Sequence, residues 1–170
     1  GLIDYDEKVA AYWPKFAQNG KEDITVRQLL GHQAGLFGFD EPVDAATVAD
    51  LDNLAEVLAR QTPAWTPGEK QAYHAISLGF YEGELIRRVD PEHRSLGQFF
   101  HEEIAMPLGL EAYIRLPREM PNSRLAVIDQ PGILEMIWGF PPMLTIDSFN
   151  PRSNIYRALV ANPGSGIVHD

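Results

Sequence analysis

Trp65-Thr66-Pro67-Gly68-Glu69-Lys70-Gln71-Ala72-Tyr73-His74-Ala75-Ile76-Ser77-Leu78 is the stretch from which the rest of the chain is read. Its first four residues are turn chemistry, because proline presets φ and glycine tolerates positive φ. The turn delivers the chain to Tyr73, which the pattern places at the mouth of a helix. From His74 to Val89 the apolar positions Ile76, Phe80, Leu85, Ile86 and Val89 keep a helical period, while Gly79 and Gly83 fall four apart on one face. Each glycine costs about 1 kcal/mol against alanine in a helix, so close packing of another backbone on that face is expected.

Upstream, Thr25-Val26-Arg27-Gln28 has the form of a capping box, and Leu29-Leu30 follow on the buried side. This predicts a helix from about Thr25 to His32 with Gly35 as its stop. Val48, Leu51, Leu54, Ala55 and Leu58 are spaced by threes and fours, which predicts one amphipathic helix flanked by Asp44 and ended before Pro63. Downstream, Ser95-Leu96-Gly97-Gln98 repeats the capping-box form and starts a helix to about Ala105, closed by Pro107 and Gly109. Tyr113-Ile114-Arg115-Leu116 suggests a short strand. Beyond Pro117, prolines interrupt every apolar run, so short helices are expected only near Asn122–Ile128, Ile133–Trp138 and Ser153–Ala161, with irregular loop between. The final Asn162-Pro163-Gly164-Ser165-Gly166 is turn chemistry.

The composition suits a globular object. With 170 residues, 45% of them hydrophobic and 22% charged, the chain reads as a single domain, 1–170, with material for a core. Fourteen Lys+Arg stand against 24 Asp+Glu, a net charge of -10. That balance lacks the basic footprint that nucleic acid or an anionic membrane surface requires. No run approaches the ~18 apolar residues of a membrane span. The absence of cysteine removes disulfide, thiol-nucleophile and Cys-zinc chemistry, and leaves the compartment open. Gly1-Leu2-Ile3-Asp4-Tyr5-Asp6 reads as mid-domain sequence, with neither a basic n-region nor an apolar h-region, so it carries no statement about targeting or location.

Most side chains that invite a chemical reading have a plainer one. His101-Glu102-Glu103 begins like a zincin motif, but the second histidine would fall at position 105, which is Ala. Gly164-Ser165-Gly166 lacks the first glycine of a nucleophile elbow, because position 163 is Pro. Arg87 and Arg88 with Asp90, Glu92 and Arg94 read as a solvated helix end or, alternatively, as an anion-recognising patch. No cofactor or metal site is expected. A tyrosine at a helix start is ordinarily a packed ring with a wet hydroxyl. Tyr73 is nevertheless the candidate catalytic residue, on the strength of its setting.

That setting resembles a known family. Trp65 to Tyr73 is similar to the W-x-P-G-x-x-x-x-Y stretch of serine β-lactamase-related and penicillin-binding-protein-like hydrolases, the class C-type β-lactamases and their esterase relatives. Leu2 to Val9 with Tyr12-Trp13-Pro14 resembles the family's L-D-D-x-V-x-x-Y-x-P segment, and Ile24 to Leu36 resembles I-T-V-R-x-L-L-x-H-x-S-G-L, with Ala34 at the serine position. Phe99 to Leu110 is similar to F-x-x-x-I-x-x-P-L-G-M, and Tyr156 to Gly164 to the helix leading to the last motif. The likeness covers nearly the whole chain and is densest up to Leu116.

The resemblance implies the helical lobe of an α/β β-lactamase/transpeptidase-like fold, mainly α with few short strands and incomplete. It also implies acyl-enzyme chemistry on a small ester, lactam or peptide substrate. In the family an S-x-x-K serine attacks the substrate, and the tyrosine works with that lysine as general base and proton shuttle. A phenol suits the task because a nearby ammonium draws its pKa down from about 10 toward working pH. His32 lies near the end of a short family helix and would brace the loop under the site, and His74 would face away from Tyr73, exposed or behind it. The usual Y-x-N is Tyr73-His74-Ala75 here, so the lactam-holding amide is missing and an esterase or peptidase-like relative is favoured.

Ser77, Ser95, Ser123, Ser148, Ser153 and Ser165 all lack a lysine three positions on, and no closing K-T-G-like or H-x-G-like motif is recognised. The chain therefore reads as an internal piece of a serine hydrolase, inactive alone. The alternative is a non-catalytic truncated relative that binds a protein. Either way, the missing parts of its own domain or a protein partner would cover an apolar face.

Overall fold

The computed structural model describes residues 1–41, 43–127, 139, 141–150 and 152–159. Short helices dominate: α1 (Val9–Tyr12), α2 (Val26–Leu30), α3 (Ala45–Ala49), α4 (Leu51–Arg60), α5 (Leu78–Val89), α6 (Leu96–Phe100), α7 (Pro142–Ser148) and α8 (Asn154–Leu159). Among the described residues the only β pairing seen is the bridge between Lys8 and Thr25.

The capping box before α2 forms as the sequence dictates. Thr25 Oγ1 accepts from the Gln28 amide at 3.2 Å while Gln28 Oε1 accepts from the Thr25 amide at 3.0 Å. The helix ends at Leu30, two residues earlier than expected, because Gly31 closes it and His32 turns into the left-handed region at φ 59°. The single amphipathic helix expected around Leu51 is two. Asp44 caps α3 through the Thr47 amide, and Asp50 leaves the helical region to cap α4 through the Asn53 amide. Two aspartates six residues apart each offer an N-cap, and the second takes its helix for itself. The box at Ser95 also forms, and α6 continues as a π-helical turn over His101–Ala105, close to the expected end.

Three expectations fail. The expected helix starts only at Leu78, so Tyr73 and His74 lie in irregular chain before it. Residues 113–116 form no strand and pass through a left-handed Arg115 at φ 74°. An apolar tetrapeptide becomes a strand only where a neighbour takes its hydrogen bonds, and none stands beside it among the described residues. Pro142 does not interrupt structure but opens α7, where its missing N–H is not needed. The expected helix near Asn122 reduces to one 3-10 turn, Asn122–Arg124; the one near Ser153 forms as α8, with residues 160 and 161 outside the described residues. The expected helix at 133–138 and the terminal turn at 162–166 lie outside the described residues.

The core gathers the first part of the chain. Trp13, Phe16 and Tyr81 pack as an aromatic triangle with centroids 5.4–6.3 Å apart, surrounded by Val9, Val26, Leu29, Leu36, Leu54, Leu58 and Leu85. A charged side chain sits inside it. Lys21 is fully buried, and its ammonium donates to the carbonyls of Gln18 (2.8 Å), Ala59 (2.8 Å) and Gln61 (2.6 Å) over the ring of Phe16. The lysine thus closes the C-terminus of α4, where unpaired carbonyls and the helix dipole favour a cation. Gly83 has only the Leu96 side chain near it, at ordinary contact distance, and Gly79 faces open space, so the close backbone packing expected on the glycine face is met at neither position.

Candidate functional site

The loop from Gln61 to Ser77 is laced onto the turn that follows α2. The Ala64 amide donates to Gly35 O at 2.9 Å, the Gly68 amide to Gln33 O at 3.0 Å, and the Ala72 amide to His32 O at 3.1 Å. Gln71 Nε2 donates to Gly31 O at 3.0 Å, and Ser77 Oγ to Leu36 O at 2.6 Å. The glycines make this approach possible. Gly68 has φ +92° and lies against Gln28, where a Cβ would meet Nε2 at 2.9 Å. Gly35 has φ +72°, and its face is closed by the Ala64 backbone and the Trp65 indole. Trp65 in turn stacks on Phe37 at 5.4 Å.

The bonds from Ala72 and His74 to His32 set which way residues 73 and 74 face. Tyr73 points outward and is 73% exposed; His74 points inward and is 2% exposed. The exposed placing considered for His74 is thereby corrected, since it assumed a helix that has not begun. Both rings meet His32, whose centroid is 4.8 Å from Tyr73 and 5.1 Å from His74. The His74 amide donates to His32 Nδ1 at 3.1 Å. A neutral imidazole accepting at Nδ1 carries its proton on Nε2. Burial, followed by the charge of His32, holds His74 down to about 4. Glu82 on α5 also feels His32, and burial raises its carboxyl above the usual range.

The charged patch at the end of α5 is internally neutralised. Arg94 contacts Asp90, Glu102 and Glu103 at 2.8–2.9 Å, and Arg87 contacts Asp52 and Glu84 at 2.8 Å. Arg88 shares Glu84 at 2.7 Å. Every arginine of the patch is committed to carboxylates, which speaks for the helix-end reading over an anion site. Glu102 and Glu103 are spent on Arg94, and among the described residues no cluster of ligating side chains could hold a metal. Ser165 lies outside the described residues.

The sequence reading missed Lys21, because nothing in Asn19-Gly20-Lys21 distinguishes a buried lysine from a turn lysine. It also missed the burial of His74, which follows from the attachment of this loop to the turn at 31–36.

The chain belongs to the Beta-lactamase family, whose model matches residues 1–130. Among curated proteins it is 40% identical over 137 residues to a protein named Esterase/beta-lactamase LipL from Mycobacterium tuberculosis, a match covering 77% of this chain and 30% of that one. A solved family VIII carboxylesterase is 49% identical with a TM-score of 0.65, covering 69% of this chain and 32% of the other. A penicillin-binding protein homolog from Caulobacter crescentus is 43% identical with a TM-score of 0.63, covering 69% and 31%. The chain thus spans about a third of the length of each relative. The helical character and the near absence of strands among the described residues match the lobe expected from the sequence.

Proposed function

We propose that this chain supplies the tyrosine-bearing helical lobe of a serine hydrolase that cleaves ester bonds through an acyl-enzyme. The observation that carries the reading is Tyr73: a phenol presented to solvent on a loop tied down before it by the Ala72 amide on His32 O and after it by the His74 amide on His32 Nδ1. The phenolate takes the proton of the serine hydroxyl as that oxygen attacks the carbonyl carbon, then passes it to the departing alcohol. Water later repeats the cycle on the acyl-enzyme. The serine, its lysine and the oxyanion hole come from outside these 170 residues, which form part of a single domain.

Ester cleavage is favoured over lactam cleavage because Ala75 offers no amide to hold a lactam side chain. The names of the relatives, an esterase/beta-lactamase and a carboxylesterase, support the same choice. The test is labelling of the whole protein with a fluorophosphonate, followed by peptide mapping, beside hydrolysis of p-nitrophenyl acetate. One labelled serine in an S-x-x-K sequence outside the chain, with loss of ester hydrolysis, is expected. A label on Ser77, Ser95 or any other serine of the chain, or ester hydrolysis that survives labelling, would refute it.

A further inference from the structure

His32 is spent in an unusual way for a side chain beside a reactive group. Its backbone sits at φ 59°, a left-handed region that is strained for a non-glycine residue and in which asparagine, aspartate and histidine are over-represented. Strain of that kind persists where the surroundings over-determine it. Here they do: the left-handed turn points His32 O at the Ala72 amide and the ring at the next two residues of the same loop. The bonds at Ala72 and His74 flank Tyr73 on either side. Tyr73 itself is held by neither, and its ring rests on the imidazole.

We propose that His32 is a positioning residue for Tyr73, acting through Nδ1 as the acceptor for the His74 amide and through its left-handed backbone. The inference rests on the reading of Tyr73 as proton shuttle, and it names what fixes that shuttle in place. Without the acceptor, the His74 amide has no partner, and the chain between Ala72 and His74 is free to turn the phenol away from the attacking oxygen.

The geometry discriminates between substitutions. Asparagine places its side-chain oxygen where Nδ1 stands and accepts positive φ, so His32→Asn keeps both functions. His32→Gln reaches too far for the same acceptor and is strained; His32→Gly relieves the strain and removes the acceptor. In the whole protein, His32→Gly and His32→Gln should lose about 10- to 100-fold in kcat with KM little changed, since a misplaced group costs chemistry more than binding. His32→Asn should recover most of that loss. Hydrogen exchange of the His74 amide, read in the same proteins, should quicken in the Gly and Gln variants and stay slow in the Asn variant. Wild-type protection of that amide in His32→Gly, or an Asn variant as impaired as Gln, would overturn the proposal. A fully active Tyr73→Phe protein would refute the shuttle reading instead, and the exchange measurement would still decide whether His32 fixes the loop.

Discussion

At the scale of single residues, two buried titratable groups set how the lobe responds to pH. His74 is held neutral down to about 4, against about 6.5 in the unfolded chain. Its folded pKa is depressed, so between those values the unfolded chain binds the extra proton and the folded one does not. Stability is full above about pH 6.5 and falls as pH drops toward 4, by at most about 3 kcal/mol from this group. Urea midpoints at pH 7 and pH 4.5 should therefore differ by less in His74→Leu than in the natural sequence. An equal difference in both would show that the ring is not the sensor. Lys21 is the second group. Burial pulls its ammonium down to about 8, while three carbonyls hold it in place. Lys21→Met takes the ammonium from the Ala59 and Gln61 carbonyls, while Gln18 O keeps the Lys21 backbone amide, and should cost about 2–4 kcal/mol; a variant with an unchanged melting temperature would contradict the role assigned to the lysine.

Local elements were legible in the sequence wherever a short-range rule determined them. Both capping boxes form at Thr25 and Ser95 because hydroxyl, amide and backbone lie within four residues of one another. The split of the Val48–Leu58 helix was not legible, since apolar spacing is the same whether or not Asp50 leaves the helix. Nor was the irregular run before α5, where the pattern of Ile76 and Phe80 hides the fact that residues 71–77 are bound to the turn at 31–36. That lacing is a tertiary event, and it alone decides that Tyr73 faces out and His74 in. It also makes the glycines exacting. Gly35→Ala combines positive φ with a Cβ 3.1 Å from the Ala64 nitrogen, a backbone atom that cannot give way cheaply. It should destabilise by about 1–3 kcal/mol and loosen Trp65, seen as a change in tryptophan emission. Gly20→Ala, equally left-handed but facing open space, should cost less; equal costs at the two sites would point to backbone strain alone.

At the scale of the molecule, the apolar surface is divided. The core of residues 9–85 is closed, whereas Ile104, Met106, Leu108, Leu110, Ile114 and Leu116 lie exposed in one stretch of chain beyond α6. Contiguous apolar surface of this kind ordinarily meets other protein, and the remainder of the same domain is the occupant expected here. The 170 residues produced alone should bind a hydrophobic dye that the whole protein does not; equal dye binding by both would contradict that assignment. The site follows the same division. The turn at 31–36 and the loop at 61–77 hold the segment that carries Tyr73, while the proposed reaction takes its attacking serine from outside the 170 residues. The most direct measurement is ester hydrolysis by the whole protein carrying Tyr73→Phe, which removes one oxygen and leaves the ring on His32. A fall in kcat/KM of about 10²- to 10⁴-fold with an unchanged melting temperature is the predicted result, and hydrolysis at the wild-type rate would show that Tyr73 moves no proton.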